Sequence, residues 1–505
     1  MMDFFKNIFL YNQDAPLLFT RFYFWGFLAV SLAIYSVLYR HRAMRNGYLF
    51  LISLFFYYKT SGFFFFLLVF STIVNYFFGL KIYNAKNKAW KRAFVAISVT
   101  VNLGVLSYFK YAYFFTGTFN QVFGTDAEVV NFLALWANNI SGSHFDISRI
   151  LLPVGISFFT FQTLSYILDV FRGKCQPVRN VIDFGFYVSF FPQLVAGPIV
   201  RASEFVPQLY AKYSLTREEF GFALYMIMKG LFKKMVLGDY LAVNFIDRVF
   251  DNPVLHGGFE NLMALYGYSL QVYCDFSGYT DIAIGVALLM GFRLPRNFNS
   301  PYKAENVGDF WRRWHISLSS WLKDYLYIPI GGNRKGKWRT NINLMITMLL
   351  GGLWHGANMK FIIWGGLNGV GLIIYKLWKK ISPYENKKNI FVHIWKIFIT
   401  FNFITFTRIW FRADDMDRVN AMLFQLTHNL DFRIAPQVLW SYKLVFLIML
   451  FGFVTHWWPS KWKDKYMNWF IRIPHWAKVI IVAVLVFLIY QSQTADLQPF
   501  IYFQF

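Results

Sequence analysis

At 505 residues, 57% of them hydrophobic and 15% charged, the chain is too apolar for a soluble globular protein, which carries about 25% charged residues. An aromatic content of 22% suits a lipid-facing surface with interfacial belts; in water the same composition would expose large apolar patches and aggregate. The net charge of +24 sits in short basic clusters between apolar runs, a positive-inside pattern with attraction for anionic lipid, and nothing arranges it as a helical face for nucleic acid.

A helix crossing needs about 20 apolar residues. In chain order, candidate spans lie near 21–39, 47–58, 62–80, 93–115, 151–170, 181–200, 219–246, 260–290, 341–376, 390–410, 439–458 and 476–492. The fold expected is an all-α polytopic membrane protein of about ten to twelve transmembrane helices with re-entrant segments. The N-terminus lacks the compact apolar core and small-residue cleavage site of a signal peptide, so the span near 21–39 is expected to stay as a membrane helix. Arg40, Arg42 and Arg45 place the cytoplasm after that span. The next two short spans turn at Lys59-Thr60-Ser61-Gly62 and return to a second basic cluster, Lys81 to Arg92, which predicts a hairpin. The loop 117–148 holds Asp126, Glu128 and Asp146 and reads as external, and the chain re-enters through 151–170 to meet Arg172, Lys174 and Arg179.

Segment 181–200, with Pro192, Gly197 and Pro198, reads as re-entrant or as two half-helices, and irregular backbone at membrane depth marks a candidate site wall. From Arg293 to Arg339 the chain is polar and basic and long enough for a cytoplasmic subdomain. Segment 341–376 leaves that side, is interrupted at Gly351-Gly352-Leu353-Trp354-His355-Gly356, and returns to Lys376–Lys380, so His355 is expected near the turn of a hairpin within the membrane. The whole chain is expected to form one unit, with N-terminal helices over 1–150, a core over 151–380 that includes the cytoplasmic segment 293–340, C-terminal helices over 381–505, and both termini outside.

An ionisable residue inside a span is a functional candidate. His355, flanked by Gly351, Gly352 and Gly356, fits a general base, and a core histidine bonded to a carbonyl is the plainer reading. His315 lies in Asp309-Phe310-Trp311-Arg312-Arg313-Trp314-His315-Ile316-Ser317-Leu318-Ser319, which fits an interface helix or a phosphate site built on Arg312 and Arg313. Asp275 and Asp281, in Gln271-Val272-Tyr273-Cys274-Asp275-Phe276-Ser277-Gly278-Tyr279-Thr280-Asp281, are intramembrane carboxylates that need partners, either as a structural ion pair or as part of a pathway. Cys175 and Cys274 form no disulfide framework, and no metal spacing, G-x-S-x-G elbow, P-loop or dinucleotide fingerprint is present.

These motifs together resemble the membrane-bound O-acyltransferases, and within them the bacterial alginate O-acetyltransferase type. The resemblance rests on Leu152–Gln162, Phe191–Ile199, Tyr273–Asp281, Asp309–Ser319, Pro329-Ile330-Gly331-Gly332-Asn333-Arg334, Leu353-Trp354-His355-Gly356-Ala357 and Trp410-Phe411-Arg412-Ala413, in family order over about half the chain. It implies catalytic histidines at His355 and His315 and a tunnel or funnel through the membrane. Residues expected to bind substrate are Asp275, Ser277, Asp281, Trp311, Arg312, Arg313, Trp354 and Asn358. The donor implied is acetyl-CoA, with no permanently bound cofactor and no metal. The acceptor is a cell-surface polysaccharide, reached through an exported SGNH-like partner with its own Ser-His-Asp site, and the location is a bacterial inner membrane. The alternatives are a D-alanyl transferase fed by a carrier-protein thioester, a transporter or flippase with no chemistry, and a scaffold for polysaccharide export.

Overall fold

A computed structural model describes residues 9–12, 16–141, 146–195, 197–385 and 389–492, and all regular elements among them are helical. His144 and both ends of the chain, whose placement outside the membrane is expected from charge, lie outside the described residues. Six helices are long and apolar enough to cross a membrane, and the bent pair Phe432–Ser441 and Lys443–Trp457 makes a seventh. Two of the six are runs of 43 and 36 residues, against about 20 for one crossing, the first turning at Gly62 and the second holding a π-helical turn at Ser107–Tyr111. Segment 181–200 forms the short helices Val181–Ser189 and Phe191–Leu194, in keeping with the expected half-helices, and 219–246 is helical throughout, Arg217–Leu231 running on through two π-helical stretches.

The first long run is the expected hairpin. Arg42–Ser61 and Phe65–Asn84 meet at Gly62, whose φ of +61° is a conformation that favours glycine. Its two far ends meet one segment: the Asn46 amide donates to Asp183 at 2.7 Å and the Tyr76 hydroxyl to the Arg179 carbonyl at 3.3 Å. Its tip meets the start of the Ile156–Phe171 helix, where the Tyr57 hydroxyl donates to the Val154 carbonyl at 2.7 Å. In the interior, Asn75 and Asn102 exchange amide hydrogen bonds of 3.0 and 2.7 Å, which satisfies polar groups that lipid cannot.

The centre of the fold is the helix Gly258–Leu289, with 89% of its most apolar window buried, whereas His475–Ser492 at the rim is 11% buried. Small residues let the Arg217–Leu231 helix lie against it: a Cβ at Gly278 would stand 2.7 Å from the Gly230 carbonyl oxygen, and one at Gly285 2.6 Å from that of Ala223. Exposed side chains such as Phe22, Val37, Phe391, Trp440 and Phe487 belong to the lipid-facing surface. The chain between Pro301 and Tyr327 is folded inward, for Tyr302, Phe310, Trp314 and His315 are all buried.

Candidate active site

His355 is the last residue of the Gly336–His355 helix, and Met359–Ile381 returns antiparallel after a turn of three residues. The hairpin is close because glycines face backbone. A Cβ at Gly352 would lie 2.2 Å from the Phe361 carbonyl oxygen, and one at Gly365 2.3 Å from that of Met348. The helix end carries carbonyls without intrahelical partners and the negative end of the helix dipole. A cation meets them: Lys110 Nζ donates to the carbonyls of Trp354 at 2.8 Å and His355 at 3.1 Å, and the Tyr111 hydroxyl donates to that of Leu353 at 2.9 Å. Lys110 reaches in from the π-helical turn Ser107–Tyr111, where the extra residue per turn swings its side chain onto this end.

His315 stands at the start of the Ile316–Leu322 helix with a φ of +44°, a strained position for a residue with a Cβ. The side chain of buried Asn297 fixes its ring. The Asn297 Oδ1 accepts from the Ser317 backbone N–H at 3.1 Å and the Ser317 hydroxyl at 2.9 Å, so this atom is the carbonyl oxygen. His315 Nδ1, 3.2 Å from the same oxygen, must therefore donate, and the neutral imidazole carries its lone pair on Nε2.

The two histidines are brought together. Both lie against Trp354, with its ring centroid 6.0 Å from His315 and 5.1 Å from His355, and both imidazoles are at most 2% exposed. Phe276 closes the His315 side at 4.7 Å, while Trp364 at 5.1 Å and Phe411 at 5.2 Å close the His355 side. Trp311 is joined to this group through Trp364, 5.7 Å away. The rest of the expected set lies elsewhere. Asp275 pairs with Lys234 at 2.5 Å, Asp281 with Lys233 at 2.8 Å and Lys229 at 3.2 Å, and Ser277 accepts from Lys233 at 3.1 Å. These residues sit on the central helix that also supplies Phe276, within a buried lysine–aspartate network. Arg312 and Arg313 both turn to Asp309, at 3.5 and 2.8 Å, and the Arg312 side chain is 73% exposed. The Asn358 side chain caps the returning helix, accepting from the Lys360 N–H at 3.0 Å. Among the described residues no group of three or more His, Cys, Asp or Glu is placed to hold a metal ion.

Sequence reasoning missed Lys110, Asn297 and Arg408, a wholly buried arginine whose guanidinium carbon lies 4.2 Å over the Trp314 ring and 5.6 Å from that of Phe411. A lysine and an arginine inside apolar runs are signals in themselves; Asn297 carries none.

A protein of Helicobacter pylori named peptidoglycan O-acetyltransferase is 36% identical over 433 residues, covering 80% of this chain and 78% of that protein. Residues 178–413 match the model of the membrane-bound O-acyltransferase family. The chain belongs to that family. It is a multi-span membrane O-acyltransferase, and both histidines fall inside the matched segment. A Pseudomonas putida protein named "Probable alginate O-acetylase AlgI" is 43% identical over 310 residues, 60% of this chain and 59% of the relative. A Bacillus subtilis protein named teichoic acid D-alanyltransferase is 33% identical over 273 residues, 50% of this chain and 67% of the relative.

Proposed function

We propose that this O-acyltransferase takes an acetyl group from cytoplasmic acetyl-CoA at the His315–Trp354–His355 centre and passes it to the far side of a bacterial inner membrane, where it O-acetylates a polysaccharide. The observation that carries the reading is that centre: two buried histidines from separate parts of the chain packed against one indole, at the turn of a helix hairpin. Names of relatives support the acyl group, since the proteins called O-acetyltransferase or O-acetylase match at 36% and 43% identity and the D-alanyltransferase at 33%. An exported SGNH-like partner completes the route to the polysaccharide.

In this reading His355 removes the proton of the attacking hydroxyl, a general-base step worth about 10²–10⁴ in rate. His315, with its Nδ1 proton committed to Asn297, presents Nε2 as acceptor in its neutral form and as donor once protonated. Burial of both imidazoles keeps bulk water from the thioester. Arg312, exposed beside Asp309, joins Arg313 as a surface cation for the coenzyme's phosphates. Asp275, Ser277 and Asp281 support the helix behind the site, Trp311 and Trp354 shape its wall, and Asn358 caps the helix that returns from His355.

The test is consumption of acetyl-labelled coenzyme A by purified protein in nanodiscs, with His355→Ala alongside. Histidine-dependent consumption, raised by partner or glycan, is the expected result. Consumption unchanged in a folded His355→Ala protein would remove the histidine from the mechanism.

A further inference from the structure

Arg408 is 1% exposed, and among the described residues no carboxylate lies within ion-pair distance of its guanidinium. A guanidinium keeps its charge even when buried, and a buried charge without a counter-charge is strongly disfavoured. Its surroundings are the faces of Trp314 and Phe411. The hydroxyl of Tyr302, whose proton goes to the Ser269 carbonyl, accepts from the guanidinium, but a neutral hydroxyl supplies no counter-charge. The location is the candidate site itself. Phe411 is shared, its ring 5.2 Å from that of His355 and 5.0 Å from that of Trp364, and Trp314 precedes His315 in the chain. The indole N–H groups of Trp364 and Trp311 are buried with no acceptor among the described residues. One fixed positive charge without a counter-charge and two indole donors thus border the His355 site, a lining suited to an oxygen that gains negative charge.

We propose that Arg408 is a further catalytic residue, which receives the carbonyl oxygen of the acyl thioester and stabilises it as an oxyanion; this rests on the acetyl-CoA reading above. As the acceptor hydroxyl oxygen bonds to the carbonyl carbon, its proton passes to His355 and the carbonyl π pair moves onto the oxygen held by Arg408. Collapse of that intermediate restores the carbonyl and breaks the carbon–sulfur bond, and the leaving thiolate takes the proton back. An ester and a free thiol result, with no other reactant.

The experiment compares two unreactive coenzyme A analogues by equilibrium binding to the full chain in nanodiscs. One carries a ketone, with CH2 in place of the thioester sulfur, and the other is the S-ethyl thioether, which has no carbonyl. Wild type is expected to bind the ketone about tenfold more tightly, as one charge-assisted hydrogen bond allows. In Arg408→Met the ratio should fall to about one with thioether affinity kept, and Arg408→Lys, which retains charge and most of the bulk, should fall between. An unchanged ratio in Arg408→Met, or in Arg408→Lys should the methionine variant not fold, would overturn the assignment, as would equal binding of the analogues by wild type. Wild type that binds neither would instead refute the coenzyme A donor, and the assignment with it.

Discussion

Substituting Gly352 by alanine is a stringent test of the hairpin that carries His355. The added Cβ would stand 2.2 Å from the Phe361 carbonyl oxygen, about 1.2 Å inside the 3.4 Å where ordinary contact begins, and 3.1 Å from the Gly365 Cα. Every one of those neighbours is backbone, so no side chain can swing aside. The two helices must separate by about 1 Å, at a cost of about 1–3 kcal/mol for overpacking. Because His355 lies three residues beyond Gly352, the imidazole moves with the helix end, and a displacement of about 1 Å at a reacting group lowers rate by about 10²-fold. Thioester turnover by purified Gly352→Ala in nanodiscs, with thermal unfolding of the same sample, measures both effects. Gly366→Ala is the control, since its Cβ would meet only the Leu349 Cδ2 at 3.4 Å. Turnover and Tm of Gly352→Ala within error of the control would refute the close-packed hairpin as the determinant of the histidine's position.

Lys110→Met removes the cation at the Trp354 and His355 carbonyls, bonds worth about 1.5–3 kcal/mol each; kcat should fall at least tenfold while Lys110→Arg retains part of it, and full kcat in the methionine variant would contradict the capping role. Asp275→Asn removes one of the two carboxylates paired with Lys234 and breaks a buried pair, so Tm should fall by an amount equivalent to about 3–5 kcal/mol with turnover per folded molecule kept; lost turnover at unchanged Tm would give this carboxylate a direct role. Burial, with Asp169 nearby, pushes the Cys175 thiol up to about 11. Only the thiolate reacts, so alkylation should be slow at neutral pH and quicken as pH climbs toward that value, and rapid labelling at pH 7 would be the contrary result.

The membrane class, the hairpin over 42–84 and the turn at His355 were legible because each is written in local chemistry: apolar length, basic clusters, glycine beside a carbonyl. The number of crossings was less so. Segment 181–200 showed its break in Pro192, which opens the second of its two short helices, but nothing local showed that Lys229, Lys233 and Lys234 of 219–246 pair with Asp275 and Asp281. His315 reads locally as an interface residue, and its burial depends on Asn297, Phe276 and Trp354, which are 18, 39 and 39 residues away along the chain. Long-range packing of that kind leaves no periodic trace. Arg312 and Arg313 show the converse: basic residues in a motif that point at Asp309 and the surface rather than at the histidines.

The most direct measurement of the central claim is sided. Protein is reconstituted in one orientation in sealed vesicles, acetyl-labelled coenzyme A is supplied only on the face bearing Arg312, and label is collected on an acceptor confined to the other face. The account predicts transfer of label without transfer of coenzyme A, lost in both His355→Ala and His315→Ala. Label that crosses with the coenzyme attached, or transfer that survives loss of both histidines, would contradict it.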